Sequence, residues 1–314
     1  MMKYLVILLD DTSVAFCHAD NPLEKRNLMP LDILRKAILF GMKENLMIQY
    51  AYPPYELPDE YKGTIESIDH VKIGRDLCIY QSIPNVVQTR DIVLRVGFKD
   101  FIKGCYQLSS ILPQINRLNI CFTDIEDFSD DEIDSYQNAL KSLIDYIVEQ
   151  YRQGKQPQVN LLTDRLRKEK MYNCGAGDTN ITVAPNGNFY LCPAFYYDEK
   201  MMVDNMMNHT ESNSERSVGS VDSGLRIENQ QLLKLHHAPI CRVCDAYHCN
   251  RCIWLNQKLT LDINTPSHQQ CIVSHIERNA SRLLQAKLVS IGVSIGQPIK
   301  EIDYLDPFES IFKY

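Results

Sequence analysis

The chain predicts an α/β fold followed by a cysteine-rich, metal-binding region, and three observations carry that prediction. Short apolar runs alternate with helical stretches over the first 165 residues, the rhythm of strands joined by crossover helices. Near Asp164 the composition changes, and seven of the eleven cysteines then fall between Cys174 and Cys271. Two of the gaps there are Cys-x2-Cys turns, a spacing that thiolate metal sites use and isolated core cysteines do not.

The elements follow in order. The apolar run at 4–9 leads directly into Asp10-Asp11, so it reads as a first strand, 3–9, and not as a signal peptide. Further strands are expected at 46–51, 70–73, 92–96, 118–122 and 158–162, where short apolar runs recur. Leu31, Leu34, Ile38 and Met42 form one face of a helix over 31–44. Ser129-Asp130-Asp131-Glu132 has the form of a capping box, opening a long helix through Ile133, Leu140, Leu143, Ile144 and Ile147. The acidic cluster at 124–134 is attributed to the positive end of that helix, not to a catalytic carboxylate set. The tyrosine- and proline-rich loop at 50–61 is expected to pack on the core, and the basic segment at 165–170 to be a solvated linker. Residues 181–184 and 189–192 flank Asn186-Gly187 and predict a hairpin. A flexible insertion is expected at about 203–223, a short helix at 225–235 and another at 278–289. By sequence chemistry the chain divides into 1–165, 166–275 and a C-terminal helix and tail over 276–314.

Composition narrows the class. An apolar share of 45 % with 23 % charged residues is ordinary for a globular chain, and a net charge of −7 gives no footprint for nucleic acid. No apolar run reaches the roughly 20 residues that span a bilayer, so no membrane partner is expected. An odd cysteine count of eleven, with Cys-x2-Cys pairs and no secretion signal, points to a cytoplasmic location and metal ligation, not to disulfides.

The cysteines read Cys174-x12-Gly187-x4-Cys192, then Cys241-x2-Cys244-x4-Cys249-x2-Cys252, then Cys271. Cys241, Cys244, Cys249 and Cys252 would suffice for one tetrahedral zinc, but that leaves Cys174, Cys192 and Cys271 unused. Seven thiolates exceed one four-ligand site and fall one short of two; two clusters, one with an incomplete protein shell, use them all. Cys17, Cys78, Cys105 and Cys121 stand singly and read as packing residues. Asp10-Asp11-Thr12-Ser13, at the end of the first strand, is the best N-terminal candidate for function, although a strand-ending turn explains it equally well. Cys17-His18 has no identifiable orienting partner for nucleophilic chemistry, and Gly175-x-Gly177 lacks the context of a dinucleotide loop. His236, His237 and His268 flank the cysteines and read as outer donors or exposed residues, not as ligands, and Trp254 is expected to cover a cluster. No catalytic residue is assigned.

Over about residues 170–275 this spacing resembles the SPASM domain, the C-terminal extension of many radical-SAM peptide-modifying enzymes, with both central gaps one residue shorter. The resemblance implies two [4Fe–4S] clusters: Cys241, Cys244, Cys249 and Cys271 holding one, and Cys174, Cys192 and Cys252 holding the other with three thiolates. The upstream eighth cysteine of some members is absent, and Lys168 and its neighbours cannot replace it. Asp178, His237, His248 or a substrate thiol could complete the three-thiolate site. The resemblance also makes the N-terminal half a radical-SAM-like partial (β/α) barrel. Its loop at 10–30, however, carries Cys17 alone where a Cys-x3-Cys-x2-Cys set would be needed, and the chain has no Gly-Gly pair; no S-adenosylmethionine is expected.

Residues 11–18 (DTSVAFCH), 241–255 (CRVCDAYHCNRCIWL), 264–271 (NTPSHQQC) and 276–280 resemble the CXXX repeat peptide maturase family, whose members contain SPASM and lack the radical-SAM signature. That resemblance implies two partners, a Cys-rich precursor peptide and a companion radical-SAM enzyme. It implies a part in peptide maturation; the alternative is a non-catalytic, zinc- or cluster-stabilised peptide adaptor.

Overall fold

The computed structural model describes residues 2–167, 174–206, 216–247, 249 and 251–297; Lys168 and His248 lie outside them. In chain order the strands are β1 (Tyr4–Leu8), β2 (Met47–Ala51), β3 (His70–Ile73), β4 (Cys78–Tyr80), β5 (Asp91–Val96), β6 (Arg117–Phe122), β7 (Gln158–Val159), β8 (Asn180–Val183), β9 (Phe189–Tyr190), β10 (Gly219–Ser220) and β11 (Gly224–Leu225). The helices are α1 (Leu31–Lys43), α2 (Asp59–Ile65), α3 (Phe98–Gly104), α4 (Leu108–Ile111), α5 (Ile133–Arg152), α6 (Pro193–Met206), α7 (Ile253–Thr260) and α8 (His268–Ser290). The chain forms two compact units that interleave in sequence, the first from Met1–Leu77 with Gly175–Lys234, the second from Cys78–Cys174 with Leu235–Tyr314.

The first unit is built on a five-stranded sheet in the order β3-β2-β1-β8-β9. β1 pairs in parallel with β2 on one side and β8 on the other, and β9 returns antiparallel to β8. Strand β1 is buried on both faces after Tyr4, which is why it reads as a continuous apolar run and not an alternating one. Leu5, Ile7, Ile48, Tyr50, Ile181 and Phe189 share one core with Leu34 and Ile38 of α1. Each such aliphatic side chain contributes about 1.5–3 kcal/mol on burial. The hairpin turn expected at Asn186-Gly187 is present: Gly187 has φ +80, and Gly187 N–H donates to Ala184 O at 2.9 Å.

The second unit carries a four-stranded parallel sheet in the order β4-β5-β6-β7. Phe98 stacks on Phe122 at 3.8 Å between ring centroids, and Tyr136 of α5 meets both edge-on. Ser129 and Glu132 form the expected capping box, with Ser129 N–H donating to Glu132 Oε2 at 2.9 Å. Asp124 has a separate role: its carboxylate accepts Phe98 N–H at 2.9 Å, at the start of α3. Burial pushes that carboxyl above its ordinary value.

Several expectations are corrected. The strand expected at 158–162 stops at Val159, because the Asn160 side chain takes over the ladder. Its Oδ1 accepts Ile120 N–H at 2.8 Å and its Nδ2 donates to Ile120 O at 2.8 Å. The basic segment expected to be solvated begins with Arg165, which is only 1 % exposed and ion-paired to Glu277. Within the expected insertion, residues up to Met206 belong to α6, and β10–β11 form a small antiparallel hairpin; 207–215 lie outside the described residues. The stretch at 225–235 forms short 3₁₀ turns, Gln230–Leu233 and Leu235–His237, in place of a helix. The C-terminal helix starts ten residues earlier than 278, at His268, where Ser267 Oγ accepts Gln270 N–H at 3.2 Å. Among the described residues no helix is long and apolar enough to cross a membrane.

Candidate metal centre

Cys241, Cys244, Cys249 and Cys271 all belong to the second unit. Cys241 opens the 3₁₀ turn Cys241–Val243 and is 4 % exposed; Cys244 N–H donates back to Cys241 O at 3.2 Å. The Cys244 sulfur accepts Ala246 N–H at 3.3 Å and lies 3.5 Å from His275 Nε2. Cys271 occupies the first turn of α8, one turn before His275 on the same helical face. Burial pushes the Cys249 thiol well above its ordinary value, and the neighbouring thiols of Cys241, Cys244 and Cys271 push it further. Cys249 therefore lies within the electrostatic reach of the other three.

Burial holds these thiols in their neutral form. Burial raises the Cys241 thiol and takes that of Cys244 up to about 11. Such thiols stay protonated at neutral pH unless metal replaces the protons, so loading is coupled to proton release. Among the described residues no group of three or more His, Cys, Asp or Glu side chains converges as the ligands of a single metal ion. A cluster makes a different demand, because each thiolate binds its own iron and the sulfurs need not meet at a point. Backbone N–H groups aimed at sulfur and a fully buried guanidinium at Arg251 also fit an anionic metal–sulfur group.

The remaining three cysteines are distributed over both units. Cys252 is the N-cap of α7, its sulfur accepting Leu255 N–H at 3.4 Å, and belongs with Cys174 to the second unit. Cys174 is exposed. Cys192 belongs to the first unit, where it follows the β8–β9 hairpin and its carbonyl accepts Phe195 N–H at 3.2 Å at the head of α6. Asp178, a candidate fourth ligand, sits half-buried in the turn after Gly175 in the first unit, while His236, His237 and His268 are exposed. Trp254 is buried, with Lys258 Nζ 5.2 Å from its ring centroid. Of the single cysteines, Cys105 is buried and donates to Ala139 O at 3.3 Å; Cys17, Cys78 and Cys121 are half-buried.

The loop after β1 is a locked turn. Asp10, Asp11 and Ser13 are buried. The Asp10 carboxylate accepts Thr12 N–H, Asn27 N–H and Tyr55 O–H at 2.8–2.9 Å, and Asp11 accepts the Tyr196 hydroxyl and Asn27 Nδ2. Sequence reasoning missed four charged or titratable residues around the cysteines: Arg251, His275, Arg165 and Glu277. His275 was findable, since it follows Cys271 by four positions on a helix. The burial of Arg165 and Arg251 was not, because an arginine in a polar stretch reads as solvated until its partner is known.

No protein-family model matches the chain, and no curated protein matches it in sequence. Among solved structures it is similar to a hexahistidine-tagged anaerobic sulfatase-maturating enzyme, anSMEcpe, with bound AdoMet, at a TM-score of 0.53 and 9 % identity. The similarity covers 98 % of this chain and 97 % of that one. At this identity the likeness is one of fold: the chain has a mixed α/β, radical-SAM/SPASM-like fold.

Proposed function

We propose that this chain is an iron–sulfur protein that assists post-translational maturation of a ribosomally made peptide bearing Cys-x-x-x repeats, by peptide binding, electron transfer or both, beside a companion radical-SAM enzyme. The observation that carries this reading is the spacing Cys241-x2-Cys244-x4-Cys249-x2-Cys252 with Cys271 beyond it, supported by the Cys244 sulfur 3.5 Å from His275 Nε2, one turn after Cys271 on α8, within a radical-SAM/SPASM-like fold. In this reading those four hold one [4Fe–4S] cluster, and Cys174, Cys192 and Cys252 hold a second with three thiolates. Residues 170–275 are then a SPASM-type region, and residues 1–165 a radical-SAM-like partial barrel whose 10–30 loop, with Cys17 alone, is unequipped to hold a radical-generating cluster.

When bound, such clusters supply one-electron chemistry and, at an iron lacking a protein thiolate, a position for an outside donor such as a peptide cysteine. The chain's own residues prepare for them. Buried thiols give up protons on loading, Ala246 and Leu255 N–H groups donate to the sulfurs of Cys244 and Cys252, and His275 stands against Cys244.

Iron, sulfide and zinc analysis after oxygen-free purification tests the reading. About eight irons with matching sulfide per chain supports two [4Fe–4S] clusters; one or two zincs without sulfide replaces them with a metal-stabilised adaptor. Adding a Cys-x-x-x repeat peptide to the reduced, iron-loaded protein is expected to change the electron paramagnetic resonance of one cluster. An unchanged spectrum rejects direct ligation by the peptide.

A further inference from the structure

Arg251 stands in the chain between Cys249 and Cys252, and its side chain is 0 % exposed. A guanidinium keeps its charge at every relevant pH and presents a rigid fork of five N–H donors. One arm of this fork is fixed: Nη2 donates to Asn264 Oδ1 at 3.1 Å and more weakly to Ile263 O at 3.4 Å. Asn256 Nδ2 donates to the same Ile263 carbonyl at 3.0 Å, which pins the receiving loop to α7. Among the described residues, Nε and Nη1 of Arg251 have no hydrogen-bond partner.

The other fully buried arginines are treated differently. Arg165 pairs with Glu277, and Arg278 pairs with Asp245 at 2.5 Å. Among the described residues no carboxylate forms an ion pair with Arg251. Asp262 lies within its field, but that carboxylate is exposed and already engaged by Thr265 Oγ1 at 2.6 Å and Asn264 N–H at 3.1 Å. A buried cation with two unused donors is costly unless an anion faces it. The Arg251 field also reaches the cysteine centre, where it opposes the upward push of burial on the Cys241 thiol.

We propose that the free N–H groups of Arg251 donate to the sulfur shell of the cluster held by Cys241, Cys244, Cys249 and Cys271, and thereby raise that cluster's reduction potential. The inference rests on the cluster reading above and adds to it a residue that is not a ligand. Its sign follows from charge: one-electron reduction makes a thiolate-ligated cluster more negative, so a fixed cation and its hydrogen bonds stabilise the reduced form more than the oxidised one. Arg251 is in this sense a positioning residue. It acts through the cluster and touches no substrate.

The test compares full-length wild type, Arg251→Gln and Arg251→Lys, purified without oxygen, by iron and sulfide content and by redox titration followed by electron paramagnetic resonance. Both variants are expected to keep their iron. One of the two midpoint potentials is expected to fall by about 59 mV or more in Arg251→Gln, a tenfold change in the one-electron reduction constant. The fall should be smaller in Arg251→Lys, which keeps the charge and loses the fork, and the other cluster should not move. Variants with wild-type iron and unchanged midpoints overturn the proposal. Should Arg251→Gln lose iron, Arg251→Lys decides: retained iron with a lowered midpoint supports the proposal, and a wild-type midpoint or loss of iron overturns it. A wild-type protein without iron and sulfide removes the cluster reading itself, and that result is visible before any variant is made.

Discussion

Arg165 and Glu277 show what a single pair of side chains does in the second unit. Glu277 accepts Tyr136 O–H at 2.7 Å and the Arg165 guanidinium, which also donates to Tyr247 O at 2.7 Å and Leu161 O at 2.9 Å. Burial drives the Glu277 carboxyl upward, while Arg165 and Tyr136 pull it down. Arg165→Leu removes one charge and strands the other, and is expected to cost about 3–5 kcal/mol in urea-monitored unfolding. Cys244 gives the pH dependence. Its folded thiol titrates at about 11 against an ordinary value of 9.0, so the folded state holds the proton more tightly than the unfolded one. The corresponding stability is complete below about pH 9 and lost as pH rises through about 11. Metal-free protein is expected to lose on the order of 2 kcal/mol over that window, read as a falling melting temperature, whereas loading abolishes the dependence because the thiolate is already formed. At this scale the sequence displays the spacing of the cysteines openly. It was illegible for Arg165, because its partner lies 112 positions away.

Element by element, the strands were the easiest to read, since β1, β2, β3, β5 and β6 begin and end within one residue of the apolar runs that announce them. Helix α8 was read ten residues short. Its first turns, HQQC, are polar and lack a helical apolar stripe, yet Pro266-Ser267-x-x-Gln270 is a capping signature that could have located its start. That cap matters because α8 carries Cys271, His275, Glu277 and Arg278 within its first three turns or so. Ser267→Ala leaves Gln270 N–H without its acceptor. It is expected to cost about 1 kcal/mol by thermal unfolding and, by fraying the turn that bears Cys271, to speed iron loss to a chelator. Strand β7 erred in the opposite direction, where the side-chain amide of Asn160 imitates a backbone and closes the ladder early. Apolar periodicity carries no trace of that substitution.

At the level of the whole molecule, alternating strands and helices specify parallel sheets, and the similarity to a radical-SAM/SPASM structure over 98 % of the chain matches that pattern. What the linear reading did not reveal is how the chain partitions. Composition suggested successive blocks, whereas the compact units each combine an early stretch with a late one. Tertiary contacts across more than a hundred residues, such as those of α5 with α8 through Tyr136 and Glu277, decide the partition and leave no local mark.

The interleaving of the units governs the order of events at the ribosome. Arg165 is synthesised long before Glu277, so the buried cation of the second unit stays uncompensated until α8 has been made. On the cluster reading proposed above, the site of Cys241, Cys244, Cys249 and Cys271 is complete only once the first turn of α8 has been made.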